Sequence, residues 1–359
     1  MNMNANIEIT NINKHFFLGQ HKEQDQNKQY RTKIVHYGFY PINEANISDK
    51  IKKMRYYSNH FAVLEDYDFI QISQLNETLR PHGWVGKNWH PAVALEHHAT
   101  RTSAGIYDES SFAKIEVTGE GAGEFLSLVC ANNVVRGVGR TIYTQALNTS
   151  GGIESDYTVT QTAENAFFIV TGTAFLNHDL GWLEKIRRQY NYQNVAIKDL
   201  TEELACFGIW GPNARKILSK CTDADLSNEA FGFMRSQLIS VAGVQLRATR
   251  ITYVGELGWE LYIPRDTSLQ VWLSLIEAGK EFNLRPCGYR AIESLRLEKG
   301  YRAWAGEINS ETNPYEAGLG FAVSTKKENF IGRQALLTAE TKNKRKLTAL
   351  TFSDMRDVP

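Results

Sequence analysis

The chain has 359 residues, 42% of them hydrophobic, and its 40 Lys and Arg are balanced by 40 Asp and Glu. That length exceeds one small domain and suits two or three, while a formal charge of zero argues against a bulk nucleic-acid binder. No apolar run reaches the roughly 18 residues of a membrane span, and the polar start "MNMNANIEITNINKHFF" lacks the basic end and apolar stretch of a signal peptide. Neither nucleic acid nor membrane is therefore expected as a partner. The four cysteines, Cys130, Cys206, Cys221 and Cys287, form no CxxC pair, and no His cluster has zinc spacing. They read as buried, reduced thiols of a cytosolic or organellar-matrix protein, and a cytoplasmic location is expected. The adjacent His97 and His98 would point about 100° apart on a helix, which suits no shared ion, so no metal is expected.

Residues 1–80 are rich in Asn, Lys, Gln and Tyr and form a poorly defined extension, with a solvated loop at 19–31 and a possible capped helix at 47–67. From 81 the texture changes. "HPAVALEHHATRTSAG" reads as a helix ending near Gly105. "FAKIEVTGEGAGEFLSLVC" reads as strand, glycine turn and helix. The run from Arg140 to Gly172 is a strand meander, clearest in the alternation of Ile142, Thr144 and Ala146, and 177–190 is an amphipathic helix. A second, similar round follows from about 200. "ELACFGIWGPNARKILSK" is strand, Gly-Pro turn and helix; "LRATRITYVGELGWELYIP" is two strands about a glycine turn; "SLQVWLSLIEAGKEF" and "GYRAIESLRLEKGY" are helices. Strands and helices mix without strict βαβ alternation, which predicts an α+β fold with antiparallel sheets. The expected division is 81–200, 201–340, and a strand begun and then cut short in 341–359. No GxGxxG follows an early strand and no GxxxxGK[ST] occurs, so neither a dinucleotide nor a P-loop site is expected.

Three stretches carry chemistry. In "NTSGGIESDYTVT" a glycine turn feeds a strand that places Glu154 and Asp156 on one face. Tyr143, thirteen residues before Asp156, lies on the preceding strand, close enough to meet it across a hairpin. The alternative is that Asp156 only solvates the turn. In "RITYVGELGWELYIP", Tyr253 and Glu260 flank a second glycine turn. An acid set between Trp259 and Leu261 must be paired or exposed. In "CGYRAIESLRLEKGYRAWAGE", Arg290 and Arg296 lie on a helix with an otherwise apolar face, and a buried guanidinium requires a carboxylate or a ligand. A structural salt bridge to Glu260 or Glu298 is the plain alternative.

At these residues the chain resembles the aminomethyltransferase family, which includes the glycine-cleavage T-protein and the folate domains of dimethylglycine and sarcosine dehydrogenases. The resemblance covers roughly 90–359 and rests on six stretches in order: "AGIYDESSFAKIEVTG", "GGIESDYTV", "TGTAFLNHDLGWL", "WGPNARKIL", "TYVGELGWELYIP" and "SLRLEKGYRAWAGEINSETNPYEAGLGFAV". It implies antiparallel-sheet folate-binding domains around a tetrahydrofolate cavity, with a C-terminal β-barrel of which only a first strand (about 346–352) is expected. Asp156 falls on the family's catalytic aspartate and Tyr143 on a cavity tyrosine. Tyr253, Glu260 and Arg290 fall on folate-holding positions, and Arg296, one turn further on the same helix, would support them. The activity implied is one-carbon transfer, aminomethyl or methyl, to N5 of tetrahydrofolate. The donor would be a small molecule or a lipoyl-protein. The second reading is a folate-binding module, or a subunit partnering a separate flavoprotein that dehydrogenates N-methyl amines, without transferase activity of its own. Relatives that assist iron–sulfur assembly carry a cysteine in a "KGCYxGQE"-type motif, whereas "KGYRAWAGE" here has none.

Overall fold

The computed structural model describes residues 7–9, 90–340, 345–348 and 350–352. The loop at 19–31 and the helix at 47–67 expected from the sequence lie outside these residues. Two antiparallel sheets carry the described fold, with one parallel pair at an edge. A five-stranded sheet has the order β4-β5-β6-β3-β7 and is formed by β3 (Ala113–Thr118), β4 (Thr141–Leu147), β5 (Ile153–Ala163), β6 (Ala166–Thr171) and β7 (Ala196–Asp199). A six-stranded sheet has the order β12-β2-β8-β11-β10-β9. Its strands are β2 (Gly105–Asp108), β8 (Leu204–Trp210), β9 (Ser236–Val241), β10 (Val244–Thr249), β11 (Gly258–Pro264) and β12 (Arg285–Cys287), the last running parallel to β2. A separate pair joins β1 (Ile7–Ile9) to β13 (Leu350–Phe352). Of the strand expected at about 346–352, residues 350–352 form β13 and pair with β1.

Each sheet has one face under helices. On β5, Ile153, Tyr157 and Val159 point inward, and the last two pack with Phe125 and Leu126 of α2 (Ala122–Val129) and Leu183 and Ile186 of α3 (Leu176–Gln189). On β11, Trp259, Leu261 and Ile263 pack with Ile217 of α4 (Ala214–Leu218) and with Trp272 and Leu275 of α5 (Ser268–Gly279). A period of two then sends Glu154, Asp156 and Thr158, and likewise Gly258, Glu260 and Tyr262, to the opposite faces. Those faces turn toward each other, since Phe168 and Val170 of β6 pack against Cys206 of β8 and Tyr262 of β11. The polar residues of both sheets therefore share the space between the sheets.

The sequence reading of α1 (His90–Thr102), α2, α3, α5 and α6 (Tyr289–Glu298) agrees with the structure, as does the β4–β5–β6 meander. The helix expected to end near Gly105 stops at Thr102, and Gly105–Asp108 is a strand. Ile106 and Tyr107 are fully covered only because β8 and β12 flank them. A last helix, α7 (Arg333–Glu340), packs Leu336 beside Leu147 and Ile153 at the β4–β5 turn.

Candidate functional site

The turn before β5 is built by its own residues. The Asn148 side chain accepts from the Ser150 and Gly152 amides, both at 3.0 Å, and donates to the Ser310 carbonyl at 2.9 Å. Gly151 takes φ 85°, and a Cβ on Gly152 would stand 1.8 Å from the Ser310 oxygen. This turn sets a register in which Gln145 faces Asp156 and Tyr143 faces Thr158. The Tyr143 hydroxyl then reaches diagonally and donates to Asp156 Oδ2 at 3.1 Å. Burial raises the Asp156 carboxyl from its usual 3.8 to about 6; the Tyr143 bond opposes the rise and the Asp179 charge adds to it. The buried Gln145 amide lies beside the Tyr143 hydroxyl without reaching hydrogen-bond geometry.

Glu154, two residues earlier on the same face, has a structural partner. His178 stands between two carboxyls, with Nε2 3.0 Å from Glu154 Oε1 and Nδ1 3.0 Å from Asp179 Oδ1. Asp179 is 1% exposed and also accepts from Ser155 (2.5 Å) and Thr171 (2.7 Å). Burial would lower the His178 pKa, but the bonds to Asp179 and Glu154 outweigh it and raise the value. Glu154 is thus tied to His178, while Asp156, on the same strand face, accepts from Tyr143 through Oδ2.

Tyr253 lies in the loop after β10. It stacks on Tyr301 at 5.9 Å, donates to the Arg302 carbonyl at 2.8 Å, and senses the charges of Arg296 and Asp156. Burial, and then the Asp156 charge, pushes the Tyr143 phenol well up, and burial raises Tyr253 likewise, so both phenols are neutral donors at physiological pH. The structure therefore brings Tyr143, Asp156 and Tyr253 together.

The two arginines separate. Six residues apart, they lie nearly two turns and about 240° around α6, not one turn. Arg296 is 2% exposed and bonds Glu307 (2.7 Å), Glu293 and the Tyr301 carbonyl (2.9 Å). Arg290 is on the exposed side of the first turn. The salt bridge expected to Glu260 or Glu298 is replaced by these Glu293 and Glu307 pairs, and Glu298 is held by Arg101 and His97.

Glu260 stands apart from the Tyr143–Asp156 pair, on β11. It is 6% exposed, accepts from the Tyr262 hydroxyl, and burial raises its carboxyl to about 7. Beside it is a residue the sequence reading passed over. Glu109, just beyond β2, is 2% exposed, and neither of its carboxyl oxygens has a hydrogen-bond partner. Arg302, also passed over, is buried and donates to the Ala317 carbonyl at 2.8 Å. The adjacent acids of "YDESS", directly after the apolar Ile106 and Tyr107, are the available signal for Glu109. Among the described residues no cluster of His, Cys, Asp and Glu could hold a metal ion, and no helix is long and apolar enough to cross a membrane.

The model for the GCVT N-terminal domain matches residues 54–327. The chain belongs to the aminomethyltransferase (GCVT) family. An aminomethyltransferase of Thermoanaerobacter sp. (strain X514) is 34% identical over 274 residues, covering 76% of this chain and 73% of that protein. The mitochondrial dimethylglycine dehydrogenase of Rattus norvegicus is 36% identical over 268 residues, covering 74% of this chain but 31% of that protein. The chain thus spans under a third of the length of the dehydrogenases it matches. The crystal structure of the glycine cleavage system aminomethyltransferase T from Bartonella henselae superposes with a TM-score of 0.62 at 29% identity, over 70% of this chain and 67% of that one. This family member therefore has the α+β, antiparallel-sheet architecture of an aminomethyltransferase.

Proposed function

We propose that this aminomethyltransferase-family chain transfers a one-carbon unit, aminomethyl or methyl, to tetrahydrofolate in the space between its two sheets. The observation that carries the reading is the Tyr143–Asp156 pair, a carboxyl raised to about 6 and turned toward that space by its own hairpin. The residues fit a reduced pterin. Two buried carboxyls, Glu260 and Glu109, line the space with raised pKa values and too few donors of their own, and a pterin edge is rich in N–H donors. Tetrahydrofolate, when bound, supplies the N5 nucleophile that takes up the carbon.

The chain's residues do the rest. Glu260 accepts adjacent N–H groups and fixes the ligand's orientation. Tyr253 packs against it as a neutral phenol. Asp156, ionised above about pH 6, opposes positive charge at the reacting carbon and accepts a proton. Tyr143 holds the Asp156 carboxylate in one rotamer by its hydrogen bond. Arg296, already committed to Glu293 and Glu307, positions the loop carrying Tyr301 and Arg302 and does not meet the ligand. Arg290, exposed on α6, is assigned the ligand's outer carboxylates.

The relatives named dehydrogenases support a small N-methyl amine as donor over a lipoyl-protein, and a flavoprotein that oxidises it as partner. Anaerobic calorimetry with tetrahydrofolate tests the reading. Wild type should bind, Glu260→Ala should bind at least tenfold more weakly, and Asp156→Asn should bind yet lose turnover. Absence of binding in wild type would sink it.

A further inference from the structure

The chemistry above gives Glu109 no contact of its own, and among the described residues its carboxyl has no hydrogen-bond partner. Its amide donates to the Cys206 carbonyl at 2.8 Å, so it extends the β2–β8 ladder by one residue. Alternation from Tyr107 turns its side chain to the face shared with Gly208 and Glu260. Gly208 lies between the two acids, on β8, as the cross-strand partner of Glu260. A Cβ built on Gly208 would stand 2.8 Å from Glu109 Oε2. The Trp210 ring, 2.3 Å from the same position, and the Glu109 carboxyl therefore share the surface of Gly208 on the side facing Glu260, and any larger residue at 208 would displace them.

The surroundings do not neutralise it. Lys114, a cation whose charge acts on it, is spent on the Ser110 and Phe112 carbonyls at 2.9 and 2.7 Å. Asp108 and Glu260 add negative charge, and Cys206 is a buried thiol with its own pKa raised. A buried carboxyl without a hydrogen bond costs on the order of 1–3 kcal/mol, and nothing in the fold offsets that. An unsatisfied group of this kind, aimed into an inter-sheet space, is what a ligand-binding acceptor looks like before its donor arrives.

We propose that Glu109 is a second acceptor for the reduced pterin, working across Gly208 with Glu260 and determining specificity for a ligand rich in N–H donors. This rests on the folate reading above. One carboxylate can take two neighbouring donors of a pterin. The remaining ring and amino N–H groups need another acceptor, which Glu109 supplies.

The test is anaerobic calorimetry of tetrahydrofolate with the full chain as wild type, Glu109→Gln and Glu109→Leu, alongside thermal unfolding of each. Glu109→Gln should weaken binding about tenfold, equivalent to ~1.4 kcal/mol, and Glu109→Leu further. Both should unfold at the wild-type midpoint or above it, because each removes an unsatisfied carboxyl. Wild-type binding that both variants retain within twofold would overturn the role of Glu109 and leave the folate reading standing. Weak binding accompanied by a lower midpoint in both variants would assign Glu109 to the fold and overturn the inference. No binding by wild type would overturn both.

Discussion

Replacing Asp156 by Asn tests the electrostatics of the site without presuming the reaction. The wild-type carboxyl titrates at about 6 in the folded protein against 3.8 for an ordinary aspartate. At about 1.4 kcal/mol per pH unit, that difference amounts to roughly 3 kcal/mol. The sign follows from which state binds the proton. Below 3.8 the carboxyl is neutral both folded and unfolded and contributes nothing. Between 3.8 and about 6 the folded state holds the proton more tightly, so stability falls as pH rises. Above about 6 the full cost of a buried carboxylate is present. Asparagine carries no charge at any pH, and its Oδ1 can still accept from Tyr143. Urea unfolding of both proteins from pH 4 to pH 8 should therefore show little difference at the acid end. At pH 8 the variant should be more stable by ~2–3 kcal/mol, several degrees in Tm. Glu260, raised to about 7, also titrates in this range, but it is common to both proteins and cancels in the difference. A stability difference that does not change with pH, or a variant less stable than wild type at pH 8, would refute the assignment of a raised Asp156.

The rate of one-carbon transfer should climb with pH through about 6, as Asp156 ionises, and Tyr143→Phe should move that midpoint upward because it removes the bond that favours the ionised form; a pH–rate profile reads both. Arg296→Met should destabilise by ~3 kcal/mol or more, since it strands Glu307 and Glu293 next to a buried helix face; denaturant melts check this. Gly152→Ala should cost ~2 kcal/mol or more and disturb the Asp156 hairpin, because its Cβ meets the Ser310 carbonyl; unfolding midpoints and a fall in tetrahydrofolate affinity would register it.

What the sequence determined by itself is local. The pairing of Tyr143 with Asp156 was legible because one turn, "NTSGG", sets the register between two adjacent strands, and alternation then decides the faces. The same period placed Glu154 beside Asp156 and Glu260 opposite the Trp259 core. The helices α2, α3 and α6 announced themselves through apolar spacing and flanking glycines, and the ordered motifs carried the family.

Only the tertiary structure decided the rest, because it depends on which distant segments meet. Gly105–Asp108 is too short for its own pattern to mark a strand; β8 and β12, some 100 and 180 residues away, make it one. Arg290 and Arg296 look equivalent in the sequence, yet helical rotation sends one to solvent and buries the other against Glu307, a partner beyond the helix. Glu154 and Asp156 look like a matched pair until His178, arriving from α3, ties up one of them. Glu109 becomes conspicuous only when Gly208 is beside it and Glu260 beyond, since the cost of an unpaired carboxyl depends on the burial that long-range packing imposes.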